Sequence, residues 1–193
     1  MKRLIVGSLS ILVLASGGAW AEQGDLPRRT SGLFVGGALG YSAIDLQTEQ
    51  VQLSGEDFSY KVFVGYQFPQ YSFMPFDTFF ALEGGYTDLG RIDDDALGAS
   101  FELDVDGFDV YFTGYLPVTR SLDLVGKAGI YLWDATVKAD GATIDDDDGS
   151  DLALALGLEY RSGKAYSARF TVESFDMLDG GWLATLAGTW QFK

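Results

Sequence analysis

Residues Asp151 to Arg161 read DLALALGLEYR. Leu152, Leu154, Leu156, Leu158 and Tyr160 alternate with Asp151, Ala153, Ala155, Gly157, Glu159 and Arg161 over eleven residues. This period of two is that of a half-buried β-strand and not of a helix. One face is large and apolar; the other is small or charged. A soluble barrel turns its large residues inward to fill a core. Here the small and charged set suits the crowded inside of a barrel, which leaves the leucines outside, against lipid.

The rest of the chain obeys the same rule. Phe58, Tyr60, Val62, Val64, Tyr66 and Phe68 share one phase, and Ser59, Lys61, Gly65 and Gln67 lie on the other. After the N-terminus no apolar run approaches the roughly 18 residues that a membrane-spanning helix needs. Any crossing of a membrane must therefore use strands. With 25 glycines, 15% aromatic residues and only 4 prolines in 193 residues, the composition fits many strands, tight turns and interfacial rings. A formal charge of -15 makes nucleic acid a poor partner. The absence of cysteine excludes a disulfide scaffold and thiol chemistry.

At the N-terminus Lys2 and Arg3 precede an apolar run from Leu4 to Leu14, and Ala19-Trp20-Ala21 forms an A-x-A site before Glu22. These are the parts of a cleaved secretory signal, so residues 1–21 are expected to be removed on export. Residues 22–32 form a polar lead-in, and 33–193 form one domain.

Eight strands are expected in that domain. They run Leu33 to Ile44, Phe58 to Phe68, Phe76 to Asp88, Phe101 to Leu116, Leu122 to Val137, Asp151 to Arg161, Tyr166 to Phe175 and Trp182 to Phe192. In the fourth, Phe101, Leu103 and Val105 break phase with Phe108, Val110 and Phe112, and a bulge at Asp106-Gly107 would reconcile them. Connections after the second, fourth and sixth strands are short. Those after the first, third and fifth are long and acidic, with Asp93 to Asp95 and Asp145 to Asp148 in two of them. Bacterial barrels keep their turns in the periplasm and their loops outside, so both termini are expected to be periplasmic. Aromatic residues mark both rims: Tyr66, Phe68, Phe76, Tyr115, Tyr160, Tyr166, Trp190 and Phe192 at the turn end, and Tyr41, Phe58, Tyr60, Tyr86 and Trp182 at the other.

By alternation Lys61, Glu83, Asp109, Lys127, Glu159, Arg169 and Glu173 point inward, three basic groups against four acidic. An eight-stranded barrel has room inside only for side chains, so these charges must pair. The pairing makes either a plug or, through exchange of partners, a gate. Gly36, Ala38 and Gly40 leave internal space, and Tyr111, Tyr115, Tyr131 and Trp133 fill it. The unbroken run Asp145 to Asp148 lacks the spaced ligands of a calcium loop and reads as a solvated charge run. No metal site and no cofactor is expected.

The segments LFVGGALGYS (Leu33 to Ser42), YKVFVGYQF (Tyr60 to Phe68), ALEGGYTDLG (Ala81 to Gly90), LALGLEYR (Leu154 to Arg161) and GTWQF (Gly188 to Phe192) resemble, in that order, the small outer-membrane barrels of the OmpA-like transmembrane domain family. The resemblance implies an all-β fold, an eight-stranded antiparallel up-and-down transmembrane barrel in the Gram-negative outer membrane. It implies lipid and lipopolysaccharide as surroundings, and Trp190 and Phe192 as the signal read by the barrel-assembly machinery, although Lys193 follows them. The chain ends with its last strand, so the peptidoglycan-binding domain of full-length relatives is not expected. Outer-membrane acyltransferases, lipid A deacylases and omptin proteases resemble this architecture but rely on a histidine, which this chain lacks; no enzyme is expected. A structural and surface-interaction barrel, expected to be a monomer because a closed wall needs no partner for its edges, stands beside an OmpW-like narrow channel or transporter for small solutes or small apolar molecules. A soluble lipocalin-like barrel would need the leucine face turned inward.

Overall fold

The computed structural model describes residues 30–47, 52–73, 76–96, 99–139, 142–162, 165–175 and 180–192. The expected signal segment with Ala19 and Ala21, most of the expected lead-in and Lys193 lie outside them. The elements are β1 (Gly32–Gln47), β2 (Gln52–Gln67), β3 (Tyr71–Phe73), β4 (Phe76–Ala96), β5 (Ala99–Pro117), β6 (Leu122–Ala139), β7 (Ala142–Ser162), β8 (Tyr166–Phe175) and β9 (Gly181–Gln191). The short β3 pairs with β4 alone. The other eight form a closed ring, because β1 pairs with both β2 and β9 and β2 pairs with β4. Every pairing is antiparallel, and closure leaves no unpaired edge inside the membrane.

Register fixes the shape of the ring. A ladder that starts at Leu33 passes through Tyr66, Leu82, Phe112, Ala128, Leu154, Ser174 and Trp182 and returns to β1 at Ala43, ten residues farther along (43 against 33). With a rise of about 3.3 Å per residue and a strand spacing of about 4.8 Å, a shift of ten over eight strands tilts the strands by about 40°. At that tilt some nine or ten residues per strand cross an apolar band of about 25 Å. The outward apolar positions have this extent: Leu33 to Tyr41 on β1, Phe58 to Tyr66 on β2, Leu124 to Leu132 on β6 and Leu152 to Tyr160 on β7 carry exposed large side chains. Lipid covers this belt. The five-residue series Leu152 to Tyr160 is 44–61% exposed while Ala153, Ala155 and Glu159 between its members are buried, the inversion that the alternation predicts.

Strands β4 to β7 are 18 to 21 residues long, about twice what the band requires. The acidic stretches read as loops are therefore strand. Asp93 to Asp95 pair with Glu102 to Ser100, and Asp145 to Asp148 pair with Val137 to Asp134. The polar segment after β1 likewise continues as paired strand to Gln47 and from Gln52. Bilayer thickness set the expected strand lengths, whereas hairpin pairing continues in water once it has begun.

The expected bulge at Asp106-Gly107 is absent. β5 runs through it in continuous register with β6, and the irregularity lies on β4, between Asp88 and Arg91. Leu103 and Val105 are buried and share the inward phase of Asp109 and Tyr111. The phase break was a change of solvent: within the bilayer apolar residues face out, and beyond it they face in, as in any soluble sheet.

The change of solvent is marked by a row of carboxylates. Asp88 is opposite Asp106, Asp106 opposite Asp134, and Asp134 opposite Asp148, one outward-facing aspartate on each of four neighbouring strands. Like charges directly across a ladder repel, and in hydrocarbon their desolvation would be prohibitive. This row must stand in water, immediately beyond the apolar row Tyr86, Phe108 and Leu132. Tyr86 donates its hydroxyl to Asp106 Oδ2 at 2.9 Å, as a ring at headgroup depth can.

Farther out, Arg91 and Lys138 bridge Glu102 and Asp104 at 2.6–3.0 Å. Partial burial pushes the Asp104 carboxyl up, but hydrogen bonds from Lys138 and Arg91 outweigh it and hold the group below its ordinary value. The same bond to Asp104, with a second to Glu102, holds the Lys138 ammonium above its own. A lowered Asp104 stabilises the hairpin at pH values above its unfolded pKa and ceases to do so as pH falls through the folded one. A raised Lys138 stabilises it below the ordinary lysine pKa and loses effect as pH rises through its folded pKa. Amide exchange in the β4–β5 hairpin should therefore stay slow from mildly acidic to mildly alkaline pH and speed up, beyond the intrinsic rate change, at both extremes. Lys138→Gln should remove the alkaline limb and weaken the acid one, because Asp104 then keeps Arg91 as its cation.

Gly157 supplies a second test. A Cβ built there would collide with the Phe170 carbonyl oxygen, whereas one at Gly188 meets nothing within 4 Å. Gly157→Val should abolish the heat-modifiable gel shift of the refolded barrel, and Gly188→Leu should retain it.

Candidate functional site in the barrel interior

Strand alternation brings the inward charges of six strands together. Lys61 comes from β2, Glu83 from β4, Asp109 from β5, Lys127 from β6, Glu159 from β7, and Arg169 and Glu173 from β8; each is at most 6% exposed. Lys61 Nζ lies 2.9 Å from Asp109 Oδ2 and 3.0 Å from Glu173 Oε2. Lys127 Nζ lies 2.9 Å from Glu83 Oε2 and 3.9 Å from Glu173 Oε1. Arg169 donates from Nη1 to both oxygens of Glu83, at 2.8 and 2.9 Å, and from Nε to Glu159 Oε2 at 2.7 Å. The chain of contacts is unbroken, from Asp109 through Lys61, Glu173, Lys127, Glu83 and Arg169 to Glu159. All seven residues belong to one network.

Two tyrosines join its parts. Tyr111 donates to Glu173 Oε2 at 3.0 Å, and its ring lies 4.8 Å from both Lys61 Nζ and Lys127 Nζ. It thus spaces two like charges while attracting each to its face. Tyr115 donates to Glu83 Oε1 at 2.8 Å and accepts from Arg169 Nη2 at 2.6 Å. Sequence alternation placed Tyr115 both inward and in the rim girdle; it is fully buried and so belongs inside only. Of the other rim residues, Tyr66 packs on Phe68 and Trp190 on Phe192 at one end, with centroids 5.7 and 4.5 Å apart. Tyr41 packs on Trp182 and Tyr60 on Tyr86 at the other, both at 6.4 Å. Phe192 also extends the β1 ladder, its N–H donating to the Leu33 carbonyl at 2.9 Å.

Apolar layers close the network above and below. Toward the long hairpins lie Leu89, Leu103, Val105, Tyr131, Trp133, Phe175 and Leu183; toward the short turns lie Phe34, Phe63, Phe79 and Val125. The space expected at Gly36 and Gly40 is occupied: the Phe63 ring lies where a Cβ on Gly36 would stand, and Ser59, Thr185 and the Ala184 carbonyl crowd Gly40. Phe63 was not singled out from sequence. It is large on a face where alternation favours small residues, and its partner is the vacancy on the adjacent strand. A further pair, Arg161 Nε to Asp123 Oδ2 at 2.9 Å, lies near the short turns. Asp123 shares the phase of Lys127 and could have been found from it.

Among the described residues no group of three or more His, Cys, Asp or Glu has metal-holding geometry. In a buried network with shared partners, bounded by apolar layers, contacts can rearrange only by exchanging partners.

The family model of the OmpA-like transmembrane domain matches residues 29–172. The chain belongs to that family. No curated protein matches it. Among solved structures, this OmpA-like barrel is similar to Neisserial surface protein A, with a TM-score of 0.58 at 15% identity over 84% of this chain and 98% of that one. Ail, the attachment invasion locus protein of Yersinia pestis, gives 0.56 at 13% identity over 83% and 99%. The outer membrane protein OprG of Pseudomonas aeruginosa gives 0.50 at 14% identity over 87% and 99%. These likenesses are of fold: a closed, all-antiparallel, eight-stranded outer-membrane barrel.

Within this OmpA-like barrel, Arg169 neutralises two carboxylates at once. Arg169→Leu takes the guanidinium away from both Glu83 and Glu159, and should lower stability in urea unfolding from micelles by about 3–5 kcal/mol. Breaking the exposed outer cluster with Arg91→Ala should cost no more than about 1 kcal/mol in the same experiment.

Proposed function

We propose that this protein is a closed, non-enzymatic barrel of the bacterial outer membrane, with a structural and surface-interaction role. Both termini face the periplasm and the long acidic hairpins face outward. The observation that carries the reading is the continuity of the interior network, whose seven charged members are all paired and buried between apolar layers. A barrel so filled transmits load between strands and has no continuous aqueous path. The absence of any histidine in the chain supports a role without acid–base chemistry. Lipid and lipopolysaccharide are its surroundings, the barrel-assembly machinery acts on its last strand through Trp190 and Phe192, and it works as a monomer without cofactor.

A narrow channel is the second reading, and one observation favours it. Ser59 Oγ, Asp109 Oδ1 and Thr113 Oγ1 are buried without a protein partner, and such atoms call for internal water. Glu83 and Glu173 also each serve two cations, so partners can exchange.

Planar-bilayer recording of the refolded mature protein distinguishes the two. The plug reading expects no discrete openings from the wild type. Openings that appear in Lys127→Ala or Glu83→Ala alone would fit a plug that has been broken. Openings in the wild type that change in either variant would replace the plug with the gate.

A further inference from the structure

Apolar layers bound the charged interior on both sides, and lipid surrounds the wall, so the interior charges have to balance among themselves. Side chains alone do not achieve this. Among the described residues the buried cations are the three of the network and Arg161, and the buried carboxylates are its four and Asp123. Four positive charges thus stand against five negative ones. Arg161 and Asp123 neutralise each other near the short turns, so the excess belongs to the seven-membered network. An uncompensated charge is very costly in a low-dielectric interior.

One atom shows where a further positive charge is needed. Of the network's carboxylate oxygens, Asp109 Oδ1 alone is buried without a protein partner. Its sister Oδ2 accepts from Lys61 Nζ and Thr87 Oγ1, each at 2.9 Å, the contacts of an ionised carboxylate. Oδ1 looks toward Gly85, which lies directly opposite Asp109 on β4. A Cβ on Gly85 would stand 3.2 Å from Oδ1 and 2.9 Å from the Val62 carbonyl oxygen. A charged oxygen and a neutral one therefore converge on the space that this glycine leaves.

Water in that space would satisfy an acceptor and leave the charge. A divalent ion would reverse the excess. A small monovalent ion answers both the orphaned oxygen and the charge count, and carboxylate and carbonyl oxygens are the ligands that hard cations take. We propose that the barrel interior binds one small monovalent metal cation between Asp109 Oδ1 and the Val62 carbonyl. The ion is a structural counter-ion, taken up as the ring closes, and completes the neutralisation that the side chains begin.

The test is reversible urea unfolding of the mature barrel in zwitterionic micelles, with sodium, potassium or choline chloride at one ionic strength. Unfolding opens the ring, so the ion equilibrates even though the folded interior is filled. Sodium or potassium should raise the folding equilibrium constant above its value in choline, saturably, by about tenfold at ten times the ion's dissociation constant. Asp109→Asn leaves four buried charges of each sign and should fold equally well in all three salts. Equal stability of the wild type in choline and in the alkali salts would overturn the proposal, as would an alkali effect that Asp109→Asn retains. Uptake of one proton on folding, with no response to alkali ions, would put a proton in the ion's place and overturn it too. Thallous ion gives a readout that needs no variant: wild-type crystals grown with it should show an anomalous peak beside Asp109 Oδ1, and crystals without that peak would rule the site out. Planar-bilayer recordings are independent of these results, so the ion site can fail while the plug reading stands, and wild-type openings would remove the plug whether or not thallium binds.

Discussion

Everything in this molecule follows from a wall that closes with no space to spare. Eight strands with a shift of ten leave an interior that only side chains can occupy, so each inward charge must find its counter-charge there. The solution is shared pairing. Glu83 accepts from Lys127, Arg169 and Tyr115, and Glu173 from Lys61 and Tyr111 with Lys127 nearby. Fixing those groups also fixes strand register, because a slip of one residue would send every one of them into lipid. The polar interior therefore specifies the barrel as much as the apolar exterior does.

The two faces of the wall follow opposite rules on either side of the aspartate row. Below it, leucines and aromatics are outside and ions inside. Above it, Leu103, Val105 and Ala135 turn inward, and Arg91, Glu102, Asp104 and Lys138 form ion pairs on the outward face. A single strand such as β5 obeys both rules in succession with no bulge between them. The backbone alternation never changes; only the solvent beyond it does.

Much of this was legible in the sequence. A period of two identifies strands and their phase, and the choice of which phase carries glycine, alanine and charge identifies the outside as lipid. The inward set of seven charges follows from phase alone. What periodicity lacks is the angular position of each strand around the ring, so it gave the members of the network and none of the bonds between them. It also missed Phe63, whose bulk is matched by the absence of a side chain at Gly36, a complementarity that exists only after β1 and β2 are in register. The hairpin extensions were read as loops because aspartate runs are poor strand formers. Their pairing is inherited from the membrane-embedded ladder beneath them.

The aspartate row has a bearing on how the barrel comes to lie across its membrane. In the proposed orientation the β4–β5 and β6–β7 hairpins carry these carboxylates through hydrocarbon once, during insertion, and the short turns at the opposite end do not. After closure, reversing that passage would drag Asp106, Asp134 and Asp145 to Asp148 back through the bilayer while the ladders that hold them remained intact. In the proposed orientation, the cost of returning these carboxylates to hydrocarbon opposes reversal of the finished barrel, and the row of repelling charges, unfavourable in itself, supplies that cost.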